Sequence, residues 1–456
     1  MQNNKLRMAI RATAAVAAFG MAGQALALDV PTGDWDTSIY GYARLNAAYD
    51  IDENHTNSAQ TGSFDDINTG DAEDDEVSGH FDADAVQTRI GIKTITPEGV
   101  KMVVEGDFRG NGGGDLRLRH AYGEYNGVLA GQTWSNFNSF VGNTATLDFD
   151  SLPGSAGLQG RTAQLRYTMG GFSVSAEEPK SNLVKVTTGP KTDDNDTPND
   201  YTDDTTVNEW LFKEQKGKQD GMPTLTARYE DSVGSLSYSA AALVHQVGYD
   251  DGKTNDDSAM GYGAFAAVKF AITDMIDIHG AFSYSDGANS YLWRSGEDYN
   301  GADAYVTPQG DVETIKAYSG TIGTGIKLGS GSSINVGYGM TTMDWDDAKK
   351  DYASVGTDAL GVITGTAESN SALMANYKFS PVKNVMMGVE YQYLKTEDVD
   401  GDEGDSNRLL FAAFRRTHAW KAPLKTTTTP AIKSSSATRS SSSSFSKASR
   451  HPRFPG

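Results

Sequence analysis

Apolar and polar residues alternate with a period of two along most of the chain from residue 37 to residue 415. Between Thr37 and Tyr49, Ile39, Gly41, Ala43, Leu45, Ala47 and Tyr49 fall on one face, and Tyr40, Tyr42, Arg44 and Asn46 on the other. Between Val100 and Arg109 the apolar set is Val100, Met102, Val104, Gly106 and Phe108, against Lys101, Glu105, Asp107 and Arg109. Such alternation marks strands with two chemically different faces. It predicts strands over 37–49, 84–95, 99–109, 115–125, 127–134, 162–168, 171–178, 223–230, 234–248, 259–270, 276–286, 312–328, 332–343, 368–379, 384–396 and 405–415. Short links such as Met169-Gly170 and Gly329-Ser330-Gly331 alternate with long ones near 50–83, 135–161, 179–222, 287–311 and 344–367. An even strand number, with short turns at one end and long loops at the other, is the pattern of a membrane-spanning antiparallel barrel. The expected fold is therefore all-β, a transmembrane antiparallel β-barrel of about sixteen strands.

The N-terminus adds an address. Lys5, Arg7 and Arg11 precede the apolar stretch Ala12–Ala22, and Ala25-Leu26-Ala27 follows as a small-residue cleavage site. Residues 1–27 read as a signal peptide cleaved near Ala27, and residues 28–415 as the exported barrel. After it, no apolar run reaches the ~18 residues of a transmembrane helix, in keeping with a mean hydropathy of −0.48. Glycine (50) and tyrosine (21) are abundant and cysteine is absent, which removes disulfides and thiolate metal sites.

The net charge of −21 misleads until it is sorted by position. Residues 50–84 hold twelve Asp or Glu and no Lys or Arg, and Asp193–Asp204 forms a second acidic stretch. Both read as solvated loops. The polar strand faces instead carry Arg44, Arg89, Lys93, Lys101, Arg109, Arg117, Arg119, Arg166, Arg228, Lys269, Lys327 and Lys378, opposed mainly by Glu105, Asp107, Glu177 and Glu390. A basic wall in a narrow channel lowers the barrier for anions, and arginine can hold a carboxylate bidentately. The pore-lining cations singled out are Arg44, Arg89, Lys93, Arg109, Arg117, Arg119, Arg166 and Arg228. The opposing reading is that each arginine pairs with a neighbouring carboxylate and only shapes the pore.

Reactive motifs are missing. Asp398, Asp400 and Asp402 begin like a calcium loop, but Glu403 replaces its glycine and Leu409 its closing glutamate. Asp193, Asp194 and Asp196, or Asp74 and Asp75, could hold a cation only loosely. His55 and His80 lie in the acidic loop, and His120 and His279 stand alone on strands, with no nucleophile elbow or zinc motif. No enzyme activity, metal or cofactor is expected.

One segment is more specific. Leu116-Arg117-Leu118-Arg119-His120-Ala121-Tyr122-Gly123 leads to Gly131-Gln132-Thr133-Trp134-Ser135-Asn136-Phe137, then Thr146-Leu147-Asp148-Phe149 and Arg161–Tyr167. This run resembles the DcaP-like trimeric porins of Gram-negative bacteria. So do Asp286-Gly287 before Tyr291-Leu292, and Glu313-Thr314-Ile315 before Ala317-Tyr318. The resemblance spans most of 37–415. It implies a homotrimer in outer-membrane lipid and lipopolysaccharide, whose third loop narrows the pore. Here that loop would run from Asn136 to Leu158, with Asn136, Phe137, Phe140, Asp148 and Phe149 at the constriction. It also implies passive diffusion of small polar, anionic, dicarboxylate-like solutes past basic residues falling on Arg44, Arg89, Arg117, Arg119 and Arg166. His245 stands where an inward arginine is expected. The coiled-coil extension of some members has no counterpart in Leu28–Asp36. The rival function is a barrel-anchored surface structural protein or adhesin using the acidic loops; inward Gly337 and Gly339 argue instead for an open lumen.

The end of the chain breaks the pattern. Leu410, Ala412 and Phe414 fit an outward face of the last strand, which Arg416 and His418 would continue. Residues 416–456 hold eight Lys or Arg and no acid, with Ser and Thr runs. A shifted reading frame near codon 416 is the preferred origin. A disordered periplasmic tail is the second, and a nucleic-acid-binding segment is disfavoured by the compartment and the lack of interleaved aromatics.

Overall fold

The computed structural model describes residues 28–416 apart from 56–58, 76, 194–204, 215–217, 253–255, 297–298, 356–362 and 364–365. The signal segment, most of the second acidic stretch with Asp194 and Asp196, and the tail beyond 416 lie outside the described residues. The strands are β1 (Leu28–Thr32), β2 (Trp35–Asp50), β3 (His80–Asp84), β4 (Arg89–Ile95), β5 (Lys101–Gly110), β6 (Asp115–Tyr125), β7 (Val128–Trp134) and β8 (Arg161–Met169). They continue with β9 (Phe172–Glu177), β10 (Leu183–Asp193), β11 (Thr205–Glu214), β12 (Lys218–Gln219), β13 (Thr224–Val233), β14 (Leu236–Asp250), β15 (Asp256–Ala271) and β16 (Ile276–Asp286). The last are β17 (Ala304–Val306), β18 (Val312–Thr314), β19 (Lys316–Gly329), β20 (Ser332–Asp344), β21 (Ala367–Val382), β22 (Val385–Asp398) and β23 (Glu403–Arg416).

Sixteen of these close an antiparallel barrel, in the order β2, β4 to β9, β13 to β16 and β19 to β23. Closure is made where β23 returns to β2, from Tyr42↔Arg416 to Asp50↔Arg408. β9 pairs directly with β13 across the long insertion between them. β1, β3 and β12 are short additions to barrel strands. β10, β11, β17 and β18 build a separate four-stranded sheet from the long loops.

Burial is inverted relative to a soluble protein. Ile322 is 68% exposed and Leu165 58%, while Arg119 and Asp107 are fully buried. Arg119 and Asp107 are buried as a pair, which soluble folds also allow, so the exposed apolar faces carry the point. Apolar residues outside and polar ones inside are what a barrel in lipid requires.

The predicted strands hold, two of them (115–125 and 276–286) with their bounds unchanged. Predicted strand 84–95 begins later, at Arg89, because Thr88 N donates to Ala85 O at 3.0 Å and turns the chain after β3, most of which lies in the predicted loop 50–83. Predicted strand 312–328 divides at Ile315, where β18 leaves for the outer sheet. The last strand is out of phase with expectation: Leu410, Ala412 and Phe414 are buried and face inward, whereas Phe411 is 46% exposed. Residues 409–414 are apolar on both faces, so alternation carries no phase there. Pairing with β2 sets it, Leu410 opposite Ala48 and Phe414 opposite Arg44.

The acidic 50–83 segment is solvated only in part, since its first half folds inward. His55, Gln60, Thr61 and Phe64 are buried. Some of its acids find partners within the protein: Asp50 Oδ1 accepts from Arg408 Nε at 2.6 Å, and Glu53 accepts from Asn68 N at 2.8 Å and Asn68 Nδ2 at 3.0 Å; Asp65 and Asp71 are exposed, as expected. Among the described parts of 179–222, β10 and β11 form a hairpin that joins β17 in the outer sheet.

Candidate functional site

The link from β7 to β8 runs through the barrel interior. At its start Ser135 Oγ and Asn136 N donate to Glu177, each at 2.7 Å, and Asn136 Nδ2 donates to Thr226 Oγ1 at 2.9 Å. Phe137 is fully buried, its ring 5.0 Å from Phe265 and 6.3 Å from Tyr291. Asn136 and Phe137 therefore anchor the loop to the β9–β15 wall and line no open space. The loop then reaches strands far around the ring. Leu147 N and Asp148 N donate to the Glu390 carboxylate at 2.6 and 2.8 Å. Asn376 Nδ2 donates to Ala145 O at 2.9 Å, and Lys378 Nζ to Thr146 O at 2.7 Å.

Glycines on that wall make room for the crossing. A Cβ on Gly337 would fall far inside contact distance of the Thr144 hydroxyl, and one on Gly339 of the Pro153 carbonyl. These glycines seat the loop, so they are no sign of an empty lumen. His279 is not alone either. Its Nδ1 lies 2.9 Å from Asp277 and its Nε2 3.0 Å from Thr144 Oγ1. The chain of three resembles a nucleophile triad in composition, but the threonine is wedged against Gly323 and Gly337 and serves as a tether.

Two further loops close over this one. Phe149 N donates to Gln60 O at 2.9 Å, Gly62 N to Asp148 at 3.2 Å, and Trp293 Nε1 to Asp150 O at 2.6 Å. Arg294 donates to Gly62 O and Ser151 O and lies 4.6 Å over the Phe64 ring. In the 50–83 segment, burial beside Arg408 and Arg294 pushes the His55 imidazole down to about 2. Neutral His55 accepts from Ser63 N at Nδ1, so its Nε2–H is free to donate to Ser406 Oγ at 2.7 Å. In the 287–311 loop, burial raises the Asp303 carboxyl to about 6, although it accepts from Asn182 N and Ser290 N.

Facing the loop is the arginine wall. Arg117 holds Asp107 bidentately at 3.0 and 2.8 Å. Arg119 bridges Glu105 at 3.0 Å and Asp107 at 2.8 Å, and Arg89 reaches Glu105 at 3.6 Å. Phe149, at the loop's tip, lies 5.2 Å from the Arg89 guanidinium and 5.3 Å from that of Arg119. Arg109 pairs with Asp150 of the loop at 3.5 Å, and Arg44 donates to Leu147 O at 2.6 Å. Forked, charge-assisted bonds of this kind fix guanidinium orientation. Arg166 and Arg228 lie lower on the wall with Phe140, around a cavity below the loop, and Arg228 donates to Asn138 O. Lys93 is half-buried on β4. His245 is buried, 2.5 Å from Gly287 O and 5.2 Å from the Tyr291 ring.

Sequence reasoning missed Arg161, Arg294 and Arg408. Arg161 stacks 4.4 Å over the Trp134 ring, which meets Phe140 edge-on at 5.0 Å. It lay one residue outside the predicted strand, and its parity, shared with exposed Ala163 and Leu165, would have placed it on the lipid face. Arg294 sits in a loop without alternation and gave no signal. Among the described residues no group of three or more His, Cys, Asp or Glu could hold a metal ion.

The family model described as DcaP outer membrane protein matches residues 24–189. The crystal structure of the outer membrane channel DcaP of Acinetobacter baumannii is 26% identical, covers 86% of this chain and 99% of its own, and superposes with a TM-score of 0.63. The anion-selective porin from Comamonas acidovorans is 10% identical, with 84% and 99% covered and a TM-score of 0.47. Salmonella typhi OmpF in complex with daunomycin is 12% identical, with 84% and 100% covered and a TM-score of 0.46. No curated protein shows significant sequence similarity. The motifs from Leu116 to Tyr167 fall inside the matched segment, so the resemblance to the DcaP-like porins is borne out. The chain is a sixteen-stranded outer-membrane barrel of the porin type.

Proposed function

We propose that this porin is a passive diffusion channel biased toward small polar anions of the dicarboxylate kind. The observation that carries the reading is the crowd of guanidinium groups around the inward loop. Arg44, Arg89, Arg109, Arg117, Arg119 and Arg161 gather there against Glu105, Asp107, Asp148 and Asp150. The ion pairs temper the excess of positive charge without cancelling it. In a low-dielectric passage a small surplus of fixed charge has a large effect on permeant ions. Phe149 and Asp150, more than Phe137, narrow the path in this reading.

Solutes move down their own gradients, so the channel needs no cofactor and carries out no chemistry. The working unit is a homotrimer embedded in lipid and lipopolysaccharide, reached after removal of residues 1–27 near Ala27. Residues 416–456 are foreign to the barrel in composition. The experiment is single-channel conductance of the refolded protein in planar bilayers, with the reversal potential in a salt gradient. Anion-selective steps are expected. Cation selectivity would remove the anion part. Silence would favour the surface-protein alternative, for which the outer sheet of β10, β11, β17 and β18 would be the working surface.

A further inference from the structure

The arginines at the level of Phe149 are largely matched by carboxylates; those on the short-turn side of the loop are not. A cavity of about 610 Å³ lies there, lined by Trp134, Phe140, Val141, Arg166, Arg228 and the Gly170-Gly171 turn among others. The Nε atoms of Arg166 and Arg228 are buried without a hydrogen-bond partner, as is Nη1 of Arg161, which stacks on Trp134. Neither Arg166 nor Arg228 is paired with a carboxylate among the described residues, unlike Arg117 and Arg119. The other charged groups at the cavity have partners of their own, although Glu230 and Asp231 keep their negative charge. Glu230 accepts from Ser139 Oγ at 2.8 Å, Lys269 pairs with Asp277 at 3.0 Å, and Asp231 accepts from Tyr229 OH, a residue of the exposed outer face. A buried, unsatisfied donor on a charged group is costly, and here two such groups border one space.

We infer that this chamber is an anion-holding subsite of its own, below the constriction, and that it takes small organic carboxylates. The guanidinium donors of Arg166 and Arg228 receive the carboxylate. The Trp134–Phe140 edge and Val141 cover the carbon skeleton. A halide would satisfy the charge but leave the aromatic wall unused. The inference rests on the channel reading only for its electrical readout. The path would then have two stations, the paired arginine wall that selects by charge and the lower chamber that retains by charge and apolar contact.

The test uses the full chain in planar bilayers in potassium chloride, with acetate or butyrate added on the short-turn side. Both should interrupt the chloride current in a concentration-dependent way. Butyrate should act at roughly a fivefold lower concentration, since a fully buried methylene is worth about fourfold and the two extra ones are partly covered. Arg166→Ser and Arg228→Ser should each raise the blocking concentration at least tenfold, and Trp134→Leu should abolish the difference between butyrate and acetate. Arg166→Lys, which keeps charge and bulk but loses the fork, should fall in between and guards against a folding defect. Equal block in wild type and in both arginine variants overturns the inference, as does equal potency of butyrate and acetate in wild type. Absence of any current would count against the channel itself. Calorimetric titration of butyrate into the detergent-solubilised barrel would then decide the chamber alone, heat lost in Arg166→Ser supporting it and no heat in wild type overturning it.

Discussion

Glu390→Gln should release the inward loop from the far wall. Fully buried, the Glu390 carboxylate accepts from Leu147 N at 2.6 Å, Asp148 N at 2.8 Å, Asn376 Nδ2 at 2.8 Å and Gln392 Nε2 at 3.0 Å. A glutamine keeps the shape but offers one oxygen and points an amide donor at donors. At least one backbone N–H of the loop then loses its acceptor, and the bonds that remain lose their charge. Hydrogen bonds to a charged group contribute about 1.5–3 kcal/mol each. Relief of repulsion between Glu390 and nearby Asp148 offsets part of the loss. A net cost of about 2–4 kcal/mol corresponds to roughly 30- to 1000-fold in the ratio of docked to undocked loop. Asn376 and Lys378 still hold Ala145 and Thr146, so the opening should be local. Single-channel recording should show a larger and noisier conductance, with the folded barrel confirmed by its heat-modifiable mobility on gels. Conductance and noise equal to wild type would refute the argument, because Glu390 would then not hold the loop or the loop would not obstruct the path.

Other outcomes follow from the same geometry. Replacing Arg117 and Arg119 together by Ser leaves Asp107 without either of its guanidinium partners; the reversal potential should move toward cation preference, and a fixed potential would place these residues outside the path. Gly339→Ala should disturb the barrel more than Gly337→Ala, because its Cβ meets the Pro153 backbone while that of Gly337 first meets the Thr144 side chain. Overpacking costs about 1–3 kcal/mol, so the unfolding midpoint of the Gly339 variant should fall further, and equal midpoints would contradict the seating role. Asp303, held up at about 6, favours its neutral form in the folded loops. Loop stability should therefore fall as pH rises from about 4 to about 6 and level off above. Limited proteolysis within 287–311 should be slower at pH 4.5 than at pH 7.5, and Asp303→Asn should abolish the difference.

The barrel was readable because its signal is local. Each strand separates lipid from interior, and that contrast prints itself on residues two apart. The inward positions of Arg44, Arg89, Arg117, Arg119, Arg166 and Arg228 followed from parity alone. Parity failed where both faces are apolar, at Leu409–Phe414, and only the register with β2 assigned those side chains. It also had no purchase on the long loops. The acidity of 50–83 suggested solvation, yet Asp50 is met by Arg408, a partner that sequence proximity could not reveal.

The amino-acid sequence by itself determined the strand count, the two faces and the inward parity of several arginines, all of which depend on neighbours within a few residues. The tertiary structure decided how that interior is used. Leu147 meets Glu390 across 243 positions, and Asp50 meets Arg408 across 358. It also decided which arginines are paired and which, like Arg166 and Arg228, border open space. Periodicity records the solvent on each side of a strand; a hydrogen bond between distant segments exists only after the ring has closed and brought them together.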